Sequence, residues 1–175
     1  MALKATIFKA SVQISDTDRN YYASHALTLA RHPSETDERM MVRLLAFALH
    51  ADERLEFGKG VSDEDEPALW LKDLTGAVQL WIEVGQPDER RLRKACGRAT
   101  QVMVYSYGGP AATMWREQIT AVATRTRNLG IRTIPREAGQ AMAKLAQRGM
   151  DLSYTVQEGQ VWVSDGRDTV LVALG

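Results

Sequence analysis

Carboxylate and cationic side chains in the middle of the sequence have the types and spacing that phosphodiester chemistry requires. Glu83 lies at the end of an alternating apolar segment, and Asp65 lies in an acidic run upstream of it. Carboxylate oxygens are ligands that Mg²⁺ and Mn²⁺ prefer, and a bound cation offsets the charge that develops on a phosphate group. Arg91, Lys94 and Arg98 follow at helical spacing. These residue types suit a metal site in which Asp65 and Glu83 hold the ion and the three cations lie beside it, with Arg91 and Arg98 as phosphate contacts.

Each of these residues also has an interpretation without catalysis. Glu83 could be a strand-end carboxylate paired with an arginine, because carboxylates are rarely buried without a partner. The acidic run from Asp63 to Glu66 could be a solvated loop that caps the following helix. The basic residues downstream could form a solvated helix face. The residue types alone leave both interpretations open.

A third carboxylate, Glu38, falls on the apolar stripe of the first predicted helix. Ser34 is the predicted N-cap of this helix, which is expected to run to about His50. At about 100° per residue, Glu38 lies between Leu45 and Leu49 on the buried side. A carboxylate there can assist a metal site, or it can pair with an arginine.

The predicted elements alternate between strands and helices. Alternating apolar residues predict a hairpin with strands at 8–14 and 26–32, and segment 151–174 predicts an antiparallel three-stranded meander. Between them, the sequence predicts strands at 54–57, 77–84, 101–107 and 131–134 and helices that begin near Pro67, Gln86, Pro110 and Pro135. The expected fold class is α/β (α+β), a mixed β-sheet with flanking helices in a single domain over residues 1–175.

Composition excludes several classes of protein. Lys plus Arg and Asp plus Glu both number 22, so the chain lacks the basic excess of a constitutive DNA coat. Cys96 is the only cysteine, which excludes an intramolecular disulfide and suits a reducing compartment. The chain has no signal-like start and no run of about 18 apolar residues, so we expect a cytoplasmic protein without a membrane partner.

Several segments together resemble the YaeQ family. They are 1–7 (MALKATI), 32–41 (HPSETDERMM), 51–56 (ADERLE), 65–67 (DEP) with Trp70, and 81–91 (WIEVGQPDERR). The resemblance spans essentially the whole chain and implies a compact fold that varies the PD-(D/E)XK nuclease core, ordered αβββαβ, with added β-structure. By this resemblance Asp65 is the first acid of the motif, Glu83 the second, and Glu38 an accessory acid.

The sequence departs from the nuclease motif at its lysine. The motif places that lysine two residues after the second acid, where this chain has Gly85. The candidate replacements on the following helix are Arg91, Lys94 and Arg98, although helical spacing puts Lys94 nearly opposite Leu92, on the exposed side. Two functions are therefore expected: a nuclease dependent on Mg²⁺ or Mn²⁺ with Glu38, Asp65, Glu83 and Lys94 as catalytic residues, or a non-catalytic, transcription-associated module that binds nucleic acid or a protein partner.

Overall fold

The computed structural model describes residues 4–61, 63 and 65–175. Its elements are β1 (Thr6–Asp16), β2 (Tyr21–Arg31), α1 (Asp37–Leu49), β3 (Leu55–Phe57), β4 (Leu69–Lys72), β5 (Val78–Val84), α2 (Glu89–Arg98), β6 (Ala99–Ser106), α3 (Pro110–Arg125), β7 (Leu129–Thr133), α4 (Arg136–Ala143), β8 (Gly149–Gln157), β9 (Gln160–Ser164) and β10 (Thr169–Ala173). The strands form two five-stranded sheets. The chain divides into two compact units, the first comprising the chain up to Leu49 with Glu137–Gly175 and the second His50–Arg136. The predicted α/β (α+β) class is confirmed, with two mixed sheets where the sequence predicted one mixed sheet.

The first unit contains the sheet ordered β10-β9-β8-β1-β2. β1 and β2 form an antiparallel hairpin, β1 and β8 are parallel, and β8, β9 and β10 form an antiparallel meander. Alternate residues of β1 are buried, namely Phe8, Ala10, Val12 and Ile14. The hairpin and the meander are both as the alternation of apolar residues predicted, because one face of each strand is apolar and packs inward.

The second unit contains the sheet ordered β3-β4-β5-β6-β7. β3, β4 and β5 are antiparallel, whereas β5, β6 and β7 are parallel, with α2 and α3 as the crossover helices. Leu92 of α2 and Trp115 of α3 share one buried cluster with Val104 of β6, so both helices cover the same face of the sheet. The Trp115 indole also donates a hydrogen bond to the carbonyl of Pro87 (2.6 Å), which joins α3 to the start of α2. No helix in the described residues is both long enough and apolar enough to span a membrane.

The segment after Pro67 is a strand, which corrects the predicted helix. Leu69 pairs with Phe57 of β3 on one side and with Ile82 of β5 on the other. A proline followed by apolar residues suits the first turn of a helix, but pairing with two neighbouring strands satisfies the backbone more completely. The same pairing makes β5 a central strand, and α2 covers the face that carries Trp81, so that Trp81 is buried as well.

The start of α1 also differs from the prediction. The helix begins at Asp37, and the Thr36 hydroxyl accepts a hydrogen bond from the backbone N–H of Arg39 (3.1 Å). Ser34, the predicted N-cap, instead lies beside the His32 ring, with its Oγ 2.7 Å from Nδ1. The hydroxyls of Ser34 and Thr36 can both cap a helix. The position of the apolar stripe alone therefore did not show which of the two residues is the N-cap.

A buried ion pair forms at the start of α1. The Glu35 side chain is 0% exposed and accepts hydrogen bonds from Arg43 Nε (2.8 Å) and Nη2 (2.6 Å), and it also pairs with Arg39. Arg43 Nη2 donates further to the carbonyl of Ala30 on β2 (3.2 Å). Burial lowers the pKa of the Arg43 guanidinium, and the Glu35 carboxylate opposes that change. Arg43 therefore holds Glu35 through a two-point contact and links α1 to β2 through the Ala30 carbonyl.

Replacing Asp18 by asparagine is expected to make the stability of the protein less sensitive to a fall in pH. The Asp18 carboxylate accepts hydrogen bonds from the backbone N–H groups of Gly159 (2.9 Å) and Glu158 (2.8 Å), and these bonds lower the pKa of Asp18. A lowered folded-state pKa contributes stability at neutral pH that is lost as the pH falls from about 5 through that pKa. The difference in melting temperature between the wild type and Asp18→Asn should therefore shrink as the pH is lowered, and a difference that stays constant would contradict this prediction.

Candidate functional site

Glu83 lies near the end of β5 on the face covered by α2. Its carboxylate is buried, with the residue 5% exposed, and one oxygen, Oε1, receives two hydrogen bonds. The Trp81 indole N–H donates at 2.7 Å, and Arg91 Nε donates at 2.9 Å. Trp81 reaches the carboxylate because residues two apart in a strand share a face. Glu83 is therefore a buried, paired carboxylate.

Helix α2 brings its basic side chains to this carboxylate and to the acidic loop, which we define as Asp63, Asp65 and Glu66. The Asp88 carboxylate caps the helix by accepting a hydrogen bond from the Arg91 backbone N–H (2.8 Å). The Arg91 side chain bonds to Glu83 and also donates from Nη2 to the carbonyl of Glu66 (2.9 Å). Arg91 thus connects β5 to the acidic loop.

Asp65 is held by the next turns of the same helix. Lys94 Nζ lies 2.7 Å from Asp65 Oδ1, and Arg98 Nη1 donates to the Asp65 backbone carbonyl at 3.1 Å. The hydrogen bond from Lys94 and its positive charge lower the pKa of Asp65. Both side chains of this pair are open to solvent, Lys94 at 52% and Asp65 at 72% exposed, so the pair contributes little to stability. Lys94 is on the exposed side, as the helical spacing predicted.

The structure therefore brings together most of the side chains that the sequence selected. Arg91, Lys94 and Arg98 all contact either Glu83 or the acidic loop, and the Arg98 guanidinium also lies 5.3 Å from the centre of the Trp81 ring. The hydrogen bond from the Trp81 indole to Glu83 was not predicted from the sequence. The signal was present in the alternation of β5, which places the two residues on one face.

Glu38 belongs to the first compact unit, whereas Asp65 and Glu83 belong to the second. It is partly buried on α1 and lies against α4, where a Cβ added to Gly139 would be 2.6 Å from Glu38 Oε2. A side chain at position 139 would therefore displace the Glu38 carboxylate.

Gly85 has a backbone conformation that disfavours the lysine of the nuclease motif. Its φ is +106°, and its N–H donates to the carbonyl of Tyr105 on β6 (2.9 Å). L-residues with side chains rarely adopt such a φ, and holding one there costs about 1–3 kcal/mol. The departure from the motif is therefore consistent with the local backbone.

The described residues do not form the oxygen-ligand cluster that a divalent cation requires. No group of three or more His, Cys, Asp or Glu side chains among them is placed to hold a metal ion. Glu83 and Asp65 each have a basic side chain as partner instead, Arg91 and Lys94 respectively. This arrangement does not fit Mg²⁺ or Mn²⁺ without displacement of those cations. The metal-binding and catalytic roles of Glu38, Asp65, Glu83 and Lys94 stay predictions.

Comparison with known proteins places the sequence in one family. The family described as YaeQ protein matches residues 1–174. The chain belongs to the YaeQ family. The YaeQ protein of Salmonella typhi is 47% identical over 174 residues, which are 99% of this chain and 96% of that protein. The Escherichia coli K12 protein is 45% identical with the same coverage.

Two crystal structures of family members are similar to this fold. The YaeQ protein from Xanthomonas axonopodis pv. citri has a TM-score of 0.94 and 50% identity, over 97% of this chain and 96% of that one. The YaeQ protein from Pseudomonas syringae has a TM-score of 0.93 and 40% identity, over 97% and 94%. The names of these relatives state no activity. Membership of the family therefore establishes the fold, and the function has to be inferred from the site.

Proposed function

We propose that this protein is a non-catalytic module that binds nucleic acid through helix α2. The observation that carries the proposal is the arrangement of the basic residues on this helix. It has five of them, of which Arg91 is turned inward to Glu83, while the other four are exposed: Arg90, Arg93, Lys94 and Arg98. Exposed cations on one helix are suited to contact a phosphate backbone, whose binding depends on charge neutralisation.

The order of elements supports a relation to nucleases. Helix α1, strands β3, β4 and β5, helix α2 and strand β6 follow one another in the order αβββαβ of the PD-(D/E)XK core. Asp65 precedes the second of these strands and Glu83 lies near the end of the third, which matches the positions of the motif's acids. The relation to this fold is part of the proposal, and it favours nucleic acid as the partner.

Three features favour binding without hydrolysis. Arg91 bonds to the Glu83 carboxylate that would otherwise hold a metal, and Lys94 engages Asp65. Gly85 leaves the motif without its lysine, which in the nuclease mechanism orients the attacking water. A buried carboxylate already paired with a guanidinium is a stable arrangement, because removal of either partner would leave a charge in a poorly solvated position.

Neutralising the exposed cations of α2 is expected to weaken nucleic-acid binding. The variant combines Arg90→Gln, Arg93→Gln and Lys94→Gln, and binding of a labelled DNA duplex is measured by fluorescence anisotropy over a range of salt concentrations. Removing each phosphate contact should make the slope of log Kobs against log salt less negative by about 0.9. The matched control removes the same charge from the first unit, at the exposed residues Lys9, Lys144 and Arg167. An equal reduction of affinity in both variants, or no binding at low salt, would contradict the proposal.

Metal ions distinguish this function from a nuclease. Millimolar Mg²⁺ or Mn²⁺ is expected to leave the melting temperature unchanged, because a ligand raises stability only by binding the folded state. Cleavage of DNA or RNA that requires Mn²⁺ and disappears in Glu83→Ala would overturn the proposal and establish a metal-dependent nuclease.

A further inference from the structure

Ser106, at the carboxyl end of β6, has a buried hydroxyl without a hydrogen-bond partner in the described part of the chain. The residue is 0% exposed. Ser106 shares a face of β6 with Val104, which packs against Leu92 of α2 and Trp115 of α3. The hydroxyl therefore lies on the face of the sheet that α2 and α3 cover. It is at the carboxyl end of β6, where the chain leaves the strand to enter α3. Leaving a buried hydroxyl unpaired is unfavourable, so this position favours a ligand that accepts a hydrogen bond.

The chain then enters α3 through two consecutive glycines. Gly108 and Gly109 have φ values of +109° and +64°, and Pro110 begins the helix. Among the described residues, no side chain caps this helix. The backbone N–H groups of the first turn and the positive end of the helix dipole are consequently available to an anion. A glycine-rich turn from a strand into an uncapped helix is an arrangement that binds phosphate in many proteins.

Arg136 adds a cation beside this turn. A Cβ placed on Gly109 would be 3.0 Å from Arg136 Cδ and 3.5 Å from its Cβ and Cγ, so the aliphatic part of the arginine packs against the glycine. The guanidinium follows Cδ directly, and Arg136 is an exposed residue next to the start of α3. The contact requires glycine at 109 both for its positive φ and for the space that Arg136 occupies.

We propose that Ser106, the first turn of α3 and Arg136 bind a phosphate group. Its tetrahedral oxygens can accept a hydrogen bond from the serine hydroxyl, from backbone N–H groups and from a guanidinium at the same time. This site goes beyond the proposed function, because it uses different residues from the exposed cations of α2. It is built at the carboxyl ends of the parallel strands β5, β6 and β7, where open α/β sheets bind their ligands.

Titration with inorganic phosphate at constant ionic strength tests the site in the full-length protein. The amide resonances of Ala111 and Ala112 should shift in ¹H–¹⁵N spectra. Ser106→Ala and Arg136→Gln should each raise the Kd by about tenfold, because each removes a hydrogen bond to a charged group. The control Arg125→Gln removes the same charge at the opposite end of α3 and should leave the Kd within about twofold. Absence of the amide shifts, or equal affinity in all four proteins, would overturn the proposal.

A second comparison identifies the source of the phosphate. An oligonucleotide with a 5′-phosphate is compared with the same oligonucleotide lacking it, using the wild type and Arg136→Gln. Tighter binding of the phosphorylated strand by the wild type alone would assign the site to nucleic-acid ends. Equal binding of both strands, with inorganic phosphate still bound, would assign it to a free phosphate or a small phosphate ester. The inorganic phosphate result does not depend on nucleic-acid binding, so failure of this site and failure of the proposed function are distinguishable.

Discussion

Replacing Glu35 by alanine is expected to lower the free energy of unfolding by about 3–5 kcal/mol. The substitution removes the acceptor of two hydrogen bonds from Arg43 and leaves that guanidinium buried without its counter-charge. Because Arg43 stays desolvated after its partner is removed, the loss of stability exceeds that caused by a typical substitution at the protein surface. Urea unfolding followed by circular dichroism measures the difference.

The control for this prediction is Asp37→Ala, two residues along the chain. Asp37 also pairs with an arginine, Arg31, but its side chain is 45% exposed. Its replacement should change the free energy of unfolding by no more than about 1 kcal/mol. A Glu35→Ala variant as stable as the Asp37→Ala variant would show that the buried pair does not support the first unit.

Replacing Glu83 by alanine is expected to lower the free energy of unfolding by about 2–3 kcal/mol. Two donors, the Trp81 indole N–H and Arg91 Nε, would be left without their common acceptor. The Trp81 residue is only 2% exposed, so water cannot readily replace that acceptor, whereas the partly exposed Arg91 can recover some solvation. Chemical unfolding of the single variants and of Glu83→Ala/Arg91→Ala should give a coupling energy of about 1–3 kcal/mol.

The same measurements test whether arginine is the partner of Glu83 in solution. If Arg91 holds the carboxylate, EDTA leaves the stability of the wild type unchanged. A decrease of stability in EDTA that is absent from Glu83→Ala would show that a metal ion, and not the ion pair with Arg91, satisfies the carboxylate. Additivity of the two single substitutions would likewise contradict a direct interaction.

The parts of the fold that the sequence predicted well are those in which local pattern and tertiary packing agree. Strands β1 and β5 have alternating apolar residues and lie close to their predicted positions, and α2 begins close to its predicted start, with Asp88 as its N-cap. Strand β4 was predicted wrongly, since Pro67 and the short apolar run suit a helix. Its conformation is determined by pairing with β3 and β5, which lie outside the short apolar run itself.

The sequence predicted which residues belong to the candidate site, but it did not predict the contacts between them. The order of elements and the family resemblance selected Asp65, Glu83, Arg91 and Lys94, and the structure places each acid against a cation. Which cation reaches which acid depends on the distance between α2 and the acidic loop, and a helical wheel does not contain that distance. Glu35 was missed for a similar reason: it precedes the helix, and its partner Arg43 reaches it across two turns.

The positive φ of Gly85 limits how the site can change over evolutionary time. A substitution can introduce lysine here only at the cost of a strained backbone at the end of β5, so that intermediate is selected against before any catalytic gain is available. A lysine at this position would therefore require a prior change in the backbone of the strand end. The glycine at position 85 therefore acts as a conformational barrier to any side chain at the end of this strand, lysine included.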